Sequence, residues 1–284
     1  MASSARHLPT IEQAIIPAAG LGTRLRPLTL ALPKEMLPLG RLPVLEHVLL
    51  ELASSGIRRA AIVVSTQKPA IERYFGRGDL LGVRLDYIVQ PEMRGLADAV
   101  VRAAPWCEGV PALVAFGDTV VEQPLEGATA RLLRTFQAGV WDAAVLAERV
   151  TPEQTRRYGI LAPAAAEVDG SAPFGVVGVV EKPGPGEAPS CWAVAARYVV
   201  GPALMKALRA VLHGARGEVG ITEGVRLLLA SGGSVVALPL VRGERRLDIG
   251  GWDTYLVAAA RYAARDPEHG AAVREAVLAE KGDA

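Results

Sequence analysis

Residues 11–24 read Ile-Glu-Gln-Ala-Ile-Ile-Pro-Ala-Ala-Gly-Leu-Gly-Thr-Arg, and this stretch decides the fold. Residues 11–18 form a short apolar run of the kind that makes a buried strand. Gly20 to Thr23 then break it. Glycines at a strand exit let backbone amides come close to a phosphate chain. Outward from this point the pattern repeats. Apolar strands are predicted over 60–65, 83–89, 112–116 and 142–148, and helices over 43–54, 69–75, 96–104 and 125–138. Strands alternating with helices imply a Rossmann-like α/β fold, a mostly parallel (mixed) sheet flanked by helices. The second half changes character. Strands at 159–162, 176–181 and 192–200 are separated by Pro/Gly-rich turns. Helices follow at 202–212 and 222–230, then strands at 234–240 and 246–249 and a helix at 252–264. No linker, repeat or low-complexity tract interrupts the 284 residues, so a single domain over 1–284 is expected.

Composition narrows the function classes. The formal net charge is +1, which gives no electrostatic footprint for nucleic acid or an anionic membrane. No apolar run reaches the ~20 residues of a membrane span, and residues 1–10 have no apolar signal region. Two cysteines, Cys107 and Cys191, make no disulfide framework, so a cytoplasmic location is expected. The four histidines are scattered without metal-ligand spacing. Arginine carries nearly all the positive charge, and the only lysines are 34, 68, 182, 206 and 281.

The strongest motif is Ala19-Gly20-Leu21-Gly22-Thr23-Arg24, continuing to Pro33-Lys34-Glu35-Met36-Leu37-Pro38. A Gly-x-Gly turn alone can be no more than a tight strand exit. A dinucleotide fingerprint would need a third glycine where Leu25 stands, and the Gly-Lys-Ser/Thr ending of a Walker loop is missing. Arg24 offers a planar fork of donors suited to phosphate oxygens, and Lys34 can return across the loop as a second cation. Two aspartates follow apolar strands and sit beside glycine, Asp118 in Phe116-Gly117-Asp118 and Asp248 in Leu247-Asp248-Ile249-Gly250. Ligands in open α/β sheets bind beyond the carboxyl ends of strands, and Mg²⁺ takes one or two carboxylates plus phosphates and water. Taken singly, either aspartate would as readily form a turn or a helix cap. Glu181-Lys182-Pro183 ends another strand, and read alone it is a solvated charge pair.

These motifs resemble the sugar-1-phosphate nucleotidyltransferase superfamily. Residues 14–57 are most similar to its bacterial glucose-1-phosphate uridylyltransferases, and weaker similarity runs to about residue 262. The resemblance implies a nucleotide-binding half over about 11–150 and a sugar-phosphate-binding half over about 151–264. It implies a triphosphate held by Ala19, Gly20, Gly22 and Thr23, with Arg24 and Lys34 stabilising the α-phosphate. It implies Mg²⁺ on Asp118 and Asp248. Lys182 would hold the sugar phosphate, Glu181 the sugar hydroxyls, and the Gly159 backbone the sugar. The reaction implied is UTP plus glucose 1-phosphate giving UDP-glucose and pyrophosphate, by a homo-oligomer, dimer or tetramer.

Gln90 and Gly95 are expected at the base, because a Gln amide both donates and accepts and so matches the edge of uracil or thymine. The segment 90–99 is closer to the thymidylyltransferase branch, which keeps dTTP open as the nucleotide. Cys191 stands where the family usually has asparagine beside the sugar, which leaves the sugar open. Two other readings compete. A nucleotide-sugar-dependent glycosyltransferase would usually carry an Asp-x-Asp metal motif, which is missing here. A non-catalytic nucleotide-sugar-binding regulator would not need every charged position that this chain retains.

Overall fold

The computed structural model describes residues 10–122, 127–213 and 215–279. In chain order the strands are β1 (Gln13–Pro17), β2 (Pro38–Leu39), β3 (Leu42–Pro43), β4 (Arg59–Val64), β5 (Arg84–Val89), β6 (Ala112–Ala115), β7 (Thr119–Glu122), β8 (Ala143–Arg149), β9 (Gly159–Pro163), β10 (Phe174–Glu181), β11 (Trp192–Val200), β12 (Val235–Pro239) and β13 (Arg245–Asp248). The helices are α1 (Leu28–Ala31), α2 (Val44–Ser54), α3 (Pro69–Phe75), α4 (Leu96–Arg102), α5 (Ala128–Ala138), α6 (Pro202–His213), α7 (Ile221–Ala230), α8 (Trp252–Ala263) and α9 (Gly270–Ala279). The helix expected over 125–138 is described from Ala128 onward, and residues 125–126 lie outside the described residues. No described helix is long and apolar enough to cross a membrane.

Nine strands form one sheet in the order β5-β4-β1-β6-β11-β8-β12-β10-β9. The first four are parallel, with Ile15 opposite Ala61 on one side and Val114 on the other. Their carboxyl ends therefore open along one edge, and the loops after β1, β5 and β6 meet there. Parallel pairing is confined to this half and to β8–β12. Strand β11 runs antiparallel between β6 and β8, and β10 and β9 continue antiparallel, so the sheet is mixed. The reason is local: β9, β10 and β11 follow one another through turns, without the helical crossovers that parallel neighbours need.

The central strands are buried on both faces. Ala14 and Ile16 pack with Leu113, Ala115 and helices α2 and α5 on one face. Ile15 packs with Ala61, Val63, Val114 and helices α4, α6 and α7 on the other. Strand period 2 thus divides one apolar run between two cores.

A charged residue sits inside another central strand, β11. Arg197, in the middle of β11, is fully buried. Its Nε and Nη2 meet the Glu51 carboxylate of α2 at 2.9 and 2.6 Å, and Nη2 also donates to the Thr119 carbonyl at 3.0 Å. Thr129 of α5 donates to Glu51 Oε1 at 2.6 Å. Beside Arg197 the strand bulges. Ala196 has φ 57°, and β11 loses register with β8 between Val194 and Tyr198. The pair ties the bulge, α2, α5 and the start of β7 into one unit. Removing one partner leaves an unpaired charge in a dry interior. Arg197→Met alone is expected to cost ~3–5 kcal/mol in denaturant unfolding, and Arg197→Met with Glu51→Leu to cost less than that single change.

Candidate active site

The loop after β1 is shaped by a glycine that no other residue can replace without strain. Gly22 has φ 64°, and a Cβ there would lie 3.1 Å from Thr29 Cγ2 and 3.4 Å from Lys34 Cδ. Thr29 donates to the Gly22 carbonyl at 2.8 Å. Leu25 is fully buried and anchors the turn, while Gly20, Thr23 and Arg24 face outward and Ala19 is buried. Lys34 passes beneath the loop. Its Nζ reaches the Asp118 carboxylate, and Gly20 lies close above it.

Behind the loop a second lysine sets the position of the first. Lys68 donates to Glu35 Oε2 and to the Ala18 carbonyl, both at 2.8 Å, and both side chains are buried. Burial pushes the Glu35 carboxyl up and the Lys68 ammonium down, while their mutual attraction opposes both shifts. Glu35 falls inside the strongest motif with no role of its own evident there, and Lys68 lies in none of the motifs. The available signal was the scarcity of lysine.

Asp118 and Asp248 come together through strand register. Asp118 precedes β7, Asp248 ends β13, and these two strands form an antiparallel ribbon in which Asp248 faces Thr119. The Ile249 amide donates to the Asp118 carbonyl at 2.9 Å. Burial raises the affinity of both carboxyls for a proton. At Asp118 burial is the largest single influence, but the Lys34 charge together with the hydrogen bonds from Lys34 and Thr119 overcomes it and holds the group below the ordinary carboxylate range. At Asp248 burial and the Asp118 charge together keep the group above it. Burial alone would lower Lys34, but the charges of Asp118, Glu35 and Asp248 prevail, and it is pushed up to about 12. Among the described residues no three His, Cys, Asp or Glu side chains converge to cage a metal. The donor set is two carboxylates open to the cleft, the kind that Mg²⁺ completes with phosphate and water.

At the other end of the cleft, β9 and β10 pair Gly159 with Glu181. A Cβ on Gly159 would stand 3.2 Å from Glu181 Oε2 and 3.3 Å from Thr222 Oγ1, so a side chain here would crowd both groups. Thr222 donates to Glu181 Oε2 at 2.7 Å and fixes that carboxylate. Lys182 takes φ 48°, an unusual backbone for a lysine, and its Nζ lies 3.7 Å from Glu181 Oε1. Strain of this kind costs of order 1–3 kcal/mol and persists where neighbours enforce it. Three residues that the sequence reading missed complete this end. Arg246 is held by Glu148 at 2.8 Å and stacks on the Tyr158 ring at 3.7 Å, Arg157 pairs with Asp253 at 2.6 Å, and Tyr198 lines the wall.

Two cavities form the cleft. One, of about 380 Å³, is lined by Ala19, Gly20, Lys34, Gln90, Gly95 and Glu218. The other, of about 240 Å³, is lined by Gly159, Glu181, Lys182, Tyr198 and Arg246. Arg24, Leu96, Phe116 and Asp118 line both, so the two cavities adjoin along these four residues. Gly22 and Thr23 border the loop without lining either cavity.

Two expectations need correction. Cys191 does not line this cleft. It lines a separate cavity with Arg149, Ser190 and Trp192, at the turn that leads into β11. The Gln90 amide does not offer both of its faces, since its Nε2 already donates to the Gly95 carbonyl at 3.1 Å and to Asp98 Oδ2 at 2.9 Å.

With this geometry, the family model described as "Nucleotidyl transferase" matches residues 13–265. The chain belongs to the nucleotidyl transferase family. The UTP–glucose-1-phosphate uridylyltransferase of Mycoplasma pneumoniae is 33% identical over 267 residues, covering 86% of this chain and 89% of that protein. That of Staphylococcus epidermidis is 32% identical, covering 91% and 94%. A UTP-bound UGPase from Acinetobacter baumannii superposes with a TM-score of 0.83 at 26% identity, covering 94% of this chain and 99% of that one. A UDP-glucose pyrophosphorylase complexed with UDP-glucose gives 0.80 at 26% identity, covering 89% and 98%.

Asp248 carries a cost in the fold, and this nucleotidyltransferase should reveal it on heating. A carboxyl raised above its unfolded value destabilises the fold once ionised. The penalty is absent below the unfolded pKa, grows as pH rises and is fully present above the folded one. In chelator at pH 7, Asp248→Asn is expected to melt a few degrees above wild type, and the difference to vanish as pH falls below 4.

Proposed function

We propose that the chain joins UTP to glucose 1-phosphate, forming UDP-glucose and releasing pyrophosphate. The observation that carries this reading is the joined cleft, with a phosphate-type glycine loop at one end and the Glu181-Lys182 pair at the other. The uridylyltransferase names of its relatives support the choice of substrates.

A phosphate oxygen of the sugar phosphate attacks the α-phosphorus of UTP. The bond from that phosphorus to the oxygen bridging to the β-phosphate breaks, and pyrophosphate leaves with the electron pair. The attacking oxygen is already anionic at neutral pH, so no side chain has to remove a proton. The protein's task is position and positive charge. Backbone amides at Gly20 and Gly22, with Thr23 beside them, hold the triphosphate beside Ala19. Arg24 stands where the two cavities join and stabilises the charge growing on the α-phosphate. Lys34, already directed to that point by Glu35 and Lys68, serves the same charge. Lys182 orients the sugar phosphate, while Glu181, held by Thr222, accepts from the sugar hydroxyls beside the Gly159 backbone. Gln90 and Gly95 meet the base. Asp118 and Asp248 would hold Mg²⁺, which when bound neutralises phosphate charge as a Lewis acid.

Pyrophosphate release, measured across five triphosphates and several sugar 1-phosphates, tests this reading. UTP with glucose 1-phosphate should turn over fastest and dTTP less efficiently, with little use of CTP, ATP or GTP. A preference for a purine would overturn the base assignment. Kinetics of two variants separate the cations. Lys34→Ala should mainly lower kcat, and Lys182→Ala should mainly raise KM for the sugar phosphate. The metal has its own test. Chelation should abolish turnover and Mg²⁺ restore it, while Asp118→Asn should lose at least 100-fold in kcat with its fold intact. Full activity of Asp118→Asn at limiting Mg²⁺ would remove Asp118 from the metal's ligands.

A further inference from the structure

Asp98 lies in the first turn of α4, one turn past Gly95, and is buried. It touches neither the loop after β1 nor the sugar end of the cleft. Its Oδ2 accepts from Gln90 Nε2 at 2.9 Å and from Arg102 Nε at 2.7 Å. Gln90 is itself buried, and its second Nε2 hydrogen goes to the Gly95 carbonyl at 3.1 Å. A backbone carbonyl and an arginine-paired carboxylate are pure acceptors. They can be satisfied only by the nitrogen end of the amide, so they decide which way the Gln90 side chain is turned. Its oxygen accepts no hydrogen bond from any described residue, and Gln90 lines the nucleotide-side cavity.

We infer that Asp98 is a specificity-determining residue: it locks the Gln90 amide so that only its carbonyl oxygen is presented to the base. An acceptor alone selects a donor. Uracil and thymine both offer N3–H, whereas N3 of cytosine is a lone pair that would face the Gln90 oxygen. A free glutamine could rotate its amide and meet cytosine with its nitrogen. The locked one cannot do so without leaving Asp98 and the Gly95 carbonyl facing an oxygen. On this view Gln90 distinguishes pyrimidines by one hydrogen, and Asp98, which never touches the nucleotide, is a positioning residue. The salt bridge to Arg102 keeps the Asp98 carboxylate in place, and the glycine at 95 keeps the second acceptor in place. Gly95 has φ 88°, and a Cβ there would strike the Val219 backbone at 2.4 Å.

This inference rests on the proposed placement of the base at Gln90, and the test separates the two. The quantity measured is the ratio of kcat/KM for UTP to that for CTP, in wild type, Gln90→Leu, Asp98→Ala and Asp98→Asn. Asp98→Ala is expected to narrow the ratio about tenfold, through a higher KM for UTP and a gain with CTP, leaving KM for the sugar phosphate unchanged. Asp98→Asn keeps an oxygen that can accept from the Gln90 amide and should hold most of the wild-type ratio. Should the alanine chain not fold, Asp98→Ser, whose side chain is too short to reach the amide, carries the same expectation as alanine. If Asp98→Ala or Asp98→Ser loses UTP and CTP efficiency in equal proportion, Asp98 merely supports helix α4 and the inference is wrong. If Gln90→Leu leaves the ratio unchanged, the base does not sit at Gln90, and the proposed base site fails together with the inference.

Discussion

Two carboxylates forced together by strand pairing are the constraint on which this structure turns. Register between β7 and β13 sets Asp248 opposite Thr119, next to Asp118, and burial makes their repulsion expensive. Every nearby cation answers that repulsion. Lys34 is drawn to Asp118, and Arg24 and Arg246 lower the cost at Asp248. Lys34 is in turn located by the buried Glu35–Lys68 pair, which also grips the end of β1. The start of β7 is located by Arg197, whose guanidinium holds the Thr119 carbonyl while its charge is met by Glu51. A site rich in charge is thus supported by two buried ion pairs set behind it, each with its hydrogen bonds filled. Buried pairs of this kind are weak sources of stability, but breaking one is costly, which makes them effective at fixing position.

The sheet explains why the cleft has two chemically different ends. Parallel strands β1, β4, β5 and β6 deliver the loop with its glycines, Gln90 and Asp118 to one edge. Antiparallel strands β9, β10 and β11 deliver Gly159, Glu181 and Lys182 beside it. The two meet where β6 pairs with β11, under Phe116 and Ala196. A triphosphate suits the first end, because glycines and cations concentrate there. A hydroxyl-bearing phosphate suits the second, because a fixed carboxylate and an exposed lysine stand side by side.

Much of this was legible in the sequence, for identifiable reasons. Strands β1, β4 and β6 are largely apolar runs bounded by turn residues, β11 is one interrupted by a single arginine, and helix α3 opens at a proline. Gly22 announced itself because a glycine-rich strand exit has few other uses. What was not legible depends on pairing across long stretches of chain. Strand β7 is a short Thr-Val-Val-Glu segment, stabilised by a partner more than a hundred residues later, and no local pattern reveals it. Lys68, Glu35 and Glu51 look like surface charges until the fold buries them. Arg197 did carry a signal, since an arginine inside an apolar run of nine demands a buried acid, but the sequence does not say which one. Cys191 lines a different cavity together with its neighbours Ser190 and Trp192, and β11 reaches the wall of the cleft only farther along, at Val194, Ala196 and Tyr198.

If Asp118 and Asp248 form one site that a metal and a nucleotide complete together, neither ligand alone can relieve their repulsion fully. The direct measurement is the melting temperature of the wild-type protein with Mg²⁺ alone, with UTP in chelator, and with Mg²⁺ and UTP together. The expected result is a rise with both present that clearly exceeds the sum of the separate rises, and its disappearance in Asp118→Asn. An equal rise with UTP in chelator and with Mg²⁺·UTP would contradict it.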